Sequence, residues 1–372
     1  MEMEKRKPFR VLTLDGGGMR GLYTAVLMQR LVQLFDVKYA KQTTEEERLL
    51  PDIGMGFDMI CGTSTGSILA CALAAGISIN EIIKLYQNEG SAIFPSALPQ
   101  KKWKKYLWGF LHLWKPSGNR EKLKNILEGI FPAETIASMY EKRKIALCIP
   151  TINASNHKAW VFKTPHFPEK HRDNNYKLVD VCMASSAAPI FFPISSVKNP
   201  DNLETGPEQY FVDGGLWANN PVLIGLIEAI ALTEKETPVE IVSIGTCELP
   251  TGDPSFLKSN MGIMDWEAGV GITEMGMSAQ AFGYSNMASF LGKIFTDFGK
   301  PITVIRLKES PKSNKQLSAI GLDKADNTAL QTLMDLAFTD ADANHSEVQS
   351  NRNDSKNRIL NEIFSNIPEL EK

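Results

Sequence analysis

The stretch FDMICGTSTGSILACALAAG, residues 57–76, places a serine in a tight turn between two segments of different periodicity. Its first residues predict a short buried strand, and the apolar run after the turn predicts a helix. Ser64 stands between them in the pattern Gly-x-Ser-x-Gly, with Gly62 and Gly66 on either side. This order is typical of a nucleophile elbow, in which the turn strains the serine backbone and the glycines remove side chains that would collide. Ser64 is therefore a candidate nucleophile.

A second strand-glycine-helix junction lies near the start of the chain, in FRVLTLDGGGMRG, residues 9–21. A serine nucleophile needs donors that stabilise the oxyanion of a tetrahedral intermediate. Gly16, Gly17 and Gly18 offer successive backbone N–H groups without side chains in the way, and Arg20 adds positive charge. We expect these four residues to form the oxyanion hole.

The same loop also fits a dinucleotide-binding turn, because Gly16, Gly18 and Gly21 satisfy the spacing G-x-G-x-x-G. That motif needs an acidic residue about twenty positions later, at the end of the second strand. Asp36 has this spacing but follows a helical pattern, and Asp15 would repel a bound pyrophosphate. The sequence therefore favours an oxyanion over a nucleotide phosphate as the group that the loop holds.

The base that would activate Ser64 is predicted to be an aspartate rather than a histidine. None of the five histidines has a clear strand-end context, and His166 and His171 fall in a polar stretch that predicts solvated surface side chains. Asp213, in YFVDGGLWANNP, follows a strand and precedes two glycines, so its carboxylate can approach another backbone segment. Partial burial would raise the pKa of Asp213 toward the range that a general base needs.

Alternation of strand-like and helical runs predicts an α/β fold with a mostly parallel sheet covered by helices on both faces. Since no long flexible linker is evident, we expect one domain over residues 1–310. Residues 311–372 are predicted to be a helical extension, packed on the domain or regulating it, with a charged, asparagine-rich gap at 339–357.

Composition narrows the cellular context of this chain of 372 residues. The formal net charge of -3 gives no sign of a DNA or RNA partner, and we expect none. The N-terminal residues carry no apolar segment of signal-peptide length, and the strongly apolar stretch around 68–79 is too short to span a bilayer. We expect a cytoplasmic protein without metal or cofactor. Its five cysteines have no metal-ligand spacing and are predicted to be reduced and buried: Cys61, Cys71, Cys148, Cys182 and Cys247.

Taken together and in this order, the motifs resemble those of the patatin-like phospholipase family. The matching stretches are LDGGGMRG (14–21), GTSTG (62–66), MASSAAPIFFP (183–193), VDGGLWANNP (212–221) and VSIGT (242–246). The resemblance implies a three-layer α/β/α sandwich and a metal-independent serine-aspartate dyad. Ser64 would be the nucleophile, Asp213 the base, and Gly16, Gly17 and Gly18 the oxyanion hole. The implied activity is that of a phospholipase A-type carboxylic ester hydrolase that releases fatty acids from membrane phospholipids.

The overall layout is also similar to that of CapV-type effectors, patatin-like phospholipases of bacterial anti-phage defence (CBASS). This similarity implies activation by a cyclic dinucleotide such as cyclic GMP-AMP, through a change of assembly to a homo-oligomer or of a lid. It rests on layout, since the sequence shows no nucleotide-binding motif for such a ligand.

A lipid substrate implies peripheral contact with the inner face of the membrane. The stretch KKWKKYLWGFLHLWKP, residues 101–116, interleaves lysines with Trp103, Trp108 and Trp114, a combination that suits anionic headgroups and the membrane boundary. An amphipathic helix packed on the core would give the same pattern. The methionine-rich segment 261–287 is predicted to be core or substrate tunnel.

Other functions on the same fold remain open at this stage. The chain could be a constitutive lipid acyl hydrolase, or an acyltransferase that uses the same acyl-enzyme. A non-catalytic lipid-binding protein is a further alternative. The presence of both Ser64 and Asp213 in their motifs argues against it.

Overall fold

One sheet organises the chain and brings the ends of its strands together. The computed structural model describes residues 6–40, 49–95, 117–131, 133–202, 207–247, 260–261 and 270–371. Its strands are β1 (Phe9–Leu14), β2 (Met59–Gly62), β3 (Ala146–Asn153), β4 (Lys158–Lys163), β5 (Ser195–Lys198), β6 (Glu208–Asp213), β7 (Val239–Ile244) and β8 (Ile302–Arg306). They run in the order β5-β6-β3-β2-β1-β7-β8, and β4 pairs with β3.

The middle of this sheet is parallel, as predicted. Strands β3, β2, β1, β7 and β8 run in the same direction, whereas β4, β5 and β6 form antiparallel pairs. Leu14, the last residue of β1, pairs with Gly62 of β2 and Ile244 of β7. The glycine loop and the serine turn therefore leave the same edge of the sheet, which is where open α/β sheets bind their ligands.

Helices cover both faces of the sheet, which confirms the three-layer α/β/α class. They are α1 (Gly21–Phe35), α2 (Val37–Ala40), α3 (Thr65–Ala74), α4 (Ile79–Ile93), α5 (Arg120–Ile130), α6 (Ile136–Arg143), α7 (Leu178–Ser185), α8 (Gly215–Ala218), α9 (Val222–Leu232), α10 (Val270–Asp297), α11 (Asn314–Ala319), α12 (Asn327–Ser350) and α13 (Ser355–Ser365). Side chains of β1 alternate between two cores. Leu12 and Leu14 join one core with α1 and α3, and Val11 joins the other with α9.

Helix α10 is the largest element that the periodicity did not predict. Its residues include several glycines, which have low helix propensity, so the local sequence gives little helical signal. The helix packs against β8 and α9, and these tertiary contacts stabilise it. The methionine-rich segment predicted to be core or tunnel falls partly on it: Met277 lines a cavity, whereas Met275 and Met287 are exposed.

The predicted gap at 339–357 is too long, because α12 continues through Ser350 and the break before α13 covers only residues 351–354. Two of the polar residues that suggested a gap, Asp340 and Asn344, are buried partners of other segments. Asp340 accepts hydrogen bonds from the Tyr23 hydroxyl and from Ser310 N–H, and Asn344 bonds both backbone groups of Lys308. Helix α12 packs along α1 and shares its core, so the predicted division at residue 310 does not coincide with a break in that core. The assignment of 311–372 as a separate extension stays a prediction.

Two further expectations concern the surface and the cysteines. The stretch 101–116, with Trp103, Trp108 and Trp114, lies outside the described residues. No helix among the residues described is both long and apolar enough to span a membrane. All five cysteines are free and buried, as predicted.

Candidate active site

The turn after β2 holds Ser64 in a conformation that non-glycine residues rarely adopt. Its φ of +54° and ψ of -123° lie outside the common regions, as the elbow motif predicts. A Cβ on Gly62 would lie 2.1 Å from the carbonyl oxygen of Gly66, and a Cβ on Gly66 would lie 2.4 Å from that of Leu14. Only glycine fits at either position, so the turn can close tightly enough to present the serine at the sheet edge.

Two serine side chains, one from α7 and one from the helix that follows the turn, hold this turn in place. Ser64 N–H donates to the hydroxyl of Ser185 at 3.0 Å, and that hydroxyl donates to Pro150 O at 2.7 Å. On the other side, the Ser67 hydroxyl donates to Ser64 O at 2.6 Å. Ser185 belongs to the MASSAAP stretch, which carried the family resemblance but no assigned role. Its contact with Ser64 gives that motif a positioning role.

Ser64 and Asp213, separated by 149 positions, meet in a direct hydrogen bond. The Ser64 hydroxyl donates to Asp213 Oδ2 at 2.6 Å, and the two residues are 8% and 3% exposed. Asp213 is the last residue of β6, where its backbone N–H donates to Ala187 O. Gly215 N–H donates to Asp213 Oδ1 at 2.6 Å, so both carboxylate oxygens have a partner.

Burial tunes this carboxyl toward base chemistry. Loss of water raises the pKa of Asp213 to about 6, although the hydrogen bonds from Ser64 and Gly215 oppose the shift. A base with a pKa near the working pH can accept a proton and release it again. The arrangement therefore has the geometry and the proton affinity of a serine-aspartate pair.

The histidines lie elsewhere. His171 is exposed, as predicted, but the prediction of a solvated His166 is wrong. His166 is buried because its ring nitrogens bond to the Thr164 hydroxyl at 2.7 Å and to Glu228 at 3.2 Å. Neither residue lines the cavity at Ser64.

His166 also belongs to a group with the donor types of a metal site. One ligand atom from each of Cys148, His166 and Glu228 lies within 4.8 Å of the others. The carboxylate of Glu228 is already paired with His166 and Lys163. Burial alone would raise its pKa, but hydrogen bonds from these two residues lower it to about 2. The imidazole and the carboxylate of this group are thus already paired within the protein.

The glycine loop offers two free donors rather than three. Gly16 N–H donates to Asn219 O at 2.9 Å, so the prediction that Gly16 donates to an oxyanion is wrong. Among the described residues, the N–H groups of Gly17 and Gly18 have no acceptor. Gly18 has a φ of +56°, and a Cβ there would lie 2.1 Å from Leu322 O. Both amides are therefore free to bind a ligand.

Arg20 is not part of the ligand-facing surface. Its side chain is buried, its Nε lies 3.4 Å from Gly17 O, and it is absent from the described residues that line the cavity. The prediction that Arg20 contacts the oxyanion is corrected accordingly, since its guanidinium contacts the outer side of the loop. Asp15 also points away, because its carboxylate is paired with Arg306 at 2.7 Å.

An apolar cavity opens directly beside the pair. Gly17, Gly18, Ser64 and Asp213 contribute to its wall. The remaining lining is largely hydrocarbon and aromatic: Ile68, Leu85, Ile93, Phe94, Leu123, Phe191, Phe192, Leu216 and Met277. The cavity, with a volume of about 80 Å³, therefore offers hydrocarbon contacts to an apolar group whose polar end lies at Ser64.

The geometry agrees with what comparison of the sequence shows. The patatin-like phospholipase family matches residues 12–226, which include the glycine loop, the serine turn and Asp213. The chain belongs to the patatin-like phospholipase family. This membership confirms the predicted family and enzyme class, a phospholipase A-type hydrolase.

Individual relatives within this family carry a more specific name. The chain is 32% identical to a cGAMP-activated phospholipase of Vibrio cholerae serotype O1, over 87% of this chain and 88% of that protein. It is 31% identical to a protein of the same name from Pseudomonas aeruginosa, over 88% of this chain and 86% of the relative. A third, from Escherichia coli, is 35% identical over 64% of this chain and 62% of the relative.

Sequence reasoning missed Ser185, Asn219 and Leu322, which hold the site without reacting in it. Ser185 and Asn219 lie inside quoted motifs, so the motifs themselves gave a signal. Leu322 lies in a polar connecting segment without a motif, so no sequence signal pointed to it.

The raised pKa of Asp213 predicts a pH-dependent cost to stability. A carboxyl whose pKa rises from 3.8 unfolded to about 6 folded destabilises the folded protein by about 3 kcal/mol above pH 6, and by nothing below pH 3.8. Asp213→Asn should therefore unfold at higher denaturant than wild type at pH 7.5, with the difference shrinking as the pH falls from 6 to 4. Equal stabilities at pH 7.5, or a difference independent of pH, would contradict the burial argument.

Proposed function

We propose that this protein hydrolyses acyl ester bonds of membrane phospholipids with Ser64 as nucleophile and Asp213 as general base. The observation that carries the proposal is the 2.6 Å hydrogen bond from Ser64 to a buried carboxyl whose pKa is raised to about 6. The free amides of Gly17 and Gly18 on the same cavity wall support it, because an acyl transfer needs donors for the oxyanion.

In the first step, Ser64 Oγ attacks the acyl carbonyl while its proton passes to Asp213 Oδ2. The carbonyl oxygen becomes an oxyanion that accepts hydrogen bonds from Gly17 and Gly18. The intermediate then collapses, the bond to the glycerol oxygen breaks, and Asp213 returns the proton to that leaving oxygen. The lysophospholipid departs and the acyl group remains on Ser64.

In the second step, water attacks the acyl-enzyme and Asp213 accepts its proton. Collapse of this second intermediate breaks the bond to Ser64 Oγ, which takes the proton back and releases the fatty acid. The apolar cavity suits the acyl chain, since its lining offers hydrocarbon contacts and few competing polar partners.

The first test compares fatty-acid release from phospholipid vesicles by wild type, Ser64→Ala and Asp213→Asn, with and without a chelator. Both substitutions should reduce release by about a thousandfold or more, because each removes a member of the reacting pair. The chelator should leave wild type unchanged, since no step uses a metal. Asp201→Asn, an exposed carboxylate, is the matched control. Release that survives either active-site substitution would refute the dyad, and loss with chelator would refute metal independence.

Helix α10 supplies a surface for peripheral membrane contact. Its outward side exposes Ile272, Met275, Phe282 and Phe290, the two phenylalanines at 70% and 66%. No charged residue occurs between Glu274 and Lys293. Helices on protein surfaces normally turn charged side chains to water, and an apolar face of this kind indicates an interaction surface.

The location of this face favours a bilayer as the partner. Met277, on the first turns of α10, lines the cavity that contains Ser64, so the apolar face begins beside the entrance. Two exposed residues of other segments, Ile190 and Leu216, extend the apolar rim around the same cavity. A lipid leaving the bilayer would reach Ser64 without crossing water. We propose accordingly that this protein is cytoplasmic and contacts the inner face of the membrane.

Replacing two aromatic side chains of the α10 face tests its role. Phe282→Ser with Phe290→Ser should reduce vesicle binding and vesicle hydrolysis by about tenfold or more, because each buried phenylalanine contributes about 1.5 to 3 kcal/mol. Hydrolysis of a soluble short-chain ester should not change, nor should that of vesicles by Phe338→Ser, an exposed residue of α12. A shift in the size of the protein in solution with unchanged vesicle binding would instead assign the face to contact between protein copies.

Activation by a cyclic dinucleotide belongs to the same proposal. Relatives named cGAMP-activated phospholipase align with most of this chain. By analogy, cyclic GMP-AMP would switch on the hydrolysis in anti-phage defence, with a homo-oligomer as one form of the active state. Phospholipid hydrolysis that is equal with and without cyclic GMP-AMP would refute this part and leave the hydrolase itself standing.

A further inference from the structure

The polar segment that precedes α12 reaches directly into the candidate active site. Leu322 O accepts a hydrogen bond from Met19 N–H at 2.8 Å, and the Leu322 backbone lies against Gly18. Leu322 also lines the cavity that contains Ser64. This segment therefore forms the outer support of the two amides that would stabilise an oxyanion.

A polar cleft adjoins the same segment on its other side. It lies between α11 and α12 and has a volume of about 660 Å³, within the range of small-molecule sites. Its wall includes two lysines, two aspartates and two threonine hydroxyls: Lys315, Lys324, Asp326, Asp335, Thr328 and Thr332. Lys324 Nζ donates to Ser318 O at 2.6 Å, so one wall of the cleft is tied to the other.

The mixture of charges in this cleft selects the kind of ligand. Ammonium groups bind phosphates, whereas carboxylates accept hydrogen bonds from N–H donors such as those on the edge of guanine. A simple phosphate would meet repulsion from Asp326 and Asp335. Asp326 Oδ1 already accepts from Ala329 N–H and Asp335 Oδ1 from the Gln331 side-chain amide, so each carboxylate would meet a ligand with its other oxygen. A molecule that carries both phosphates and purine N–H groups can contact the lysines and these carboxylates together.

We propose that the cleft between α11 and α12 binds a cyclic dinucleotide and that occupancy of the cleft sets the position of Gly17 and Gly18 through Leu322. This inference rests on the proposed activation and assigns it a site and a route. Lys324 lies two residues after Leu322, so a ligand that draws Lys324 away from Ser318 moves the support of the oxyanion loop. The ligand activates by favouring the arrangement in which the two amides face Ser64.

Such coupling is reciprocal. If the dinucleotide favours the competent loop, then a group that occupies the oxyanion site must tighten dinucleotide binding by the same factor. A phosphonate attached to Ser64 places an oxygen near the amides of Gly17 and Gly18. Binding of cyclic GMP-AMP should therefore be tighter to the phosphonylated protein than to the free protein.

The test measures binding of cyclic GMP-AMP by calorimetry and vesicle hydrolysis in the same preparations. Lys315→Ala with Lys324→Ala should weaken binding, and raise the concentration needed for half-activation, by about tenfold or more, because two charged contacts to phosphate are lost. Lys158→Ala with Lys235→Ala, two exposed lysines away from the cleft and from α10, is the matched control and should bind as wild type does. Lys315→Ala alone leaves the Lys324–Ser318 hydrogen bond intact, so it should weaken binding while its basal hydrolysis of a soluble ester stays that of wild type and of the control, which separates this test from that of the dyad.

A second variant tests the route rather than the site. Leu322→Gly should keep the affinity for cyclic GMP-AMP but lose most of the activation, since it removes the side chain and loosens the backbone against Gly18. Full affinity in the double lysine variant would overturn the site. Full activation in Leu322→Gly, or equal affinity with and without the phosphonate, would overturn the route.

Discussion

The hydrogen bond between Ser64 Oγ and Asp213 Oδ2 joins two side chains that lie far apart in the sequence and that strand pairing brings to one edge of the sheet. The parallel strands β1, β2 and β7 end at one edge, which places the glycine loop beside the serine turn. Asp213 arrives from the antiparallel side of the sheet, through the pairing of Thr151 in β3 with Asp213 in β6. A mixed sheet is therefore what allows a base from a late strand to reach a nucleophile from an early one.

The backbone amides around that bond fall into two sets: those that fix the local backbone and those that can bind a ligand. Ser64 N–H donates to the Ser185 hydroxyl, and Gly16 N–H donates to Asn219 O, so these two amides fix the backbone and are not available to a ligand. The amides of Gly17 and Gly18 are left for an oxyanion. Burial that raises the pKa of Asp213 has a cost in folding stability at neutral pH, and this cost is the expected signature of a group kept for chemistry.

Sequence alone predicted the features that depend on local pattern and on strand order. The elbow, the glycine loop and the strand-end aspartate have short signatures, and parallel topology brings the first two to one edge. The errors arose where distant contacts decide the outcome. Gly16 N–H donates to Asn219 O and so is not available to an oxyanion, and His166 is buried beside Glu228, to which its ring bonds. Asp340 of α12 is buried against α1, where it accepts a hydrogen bond from the Tyr23 hydroxyl. The hydrophobic periodicity of one segment does not indicate which distant residues will bond to it.

The most direct measurement is a crystal structure of the protein after reaction with a fluorophosphonate that carries a long alkyl chain. The account predicts a covalent phosphorus bond to Ser64 Oγ, with a phosphonyl oxygen within hydrogen-bond distance of the Gly17 and Gly18 N–H groups. The alkyl chain should lie along Phe94 and Phe192 in the cavity. A bond to another residue, or an oxygen that faces away from both amides, would contradict the central claim.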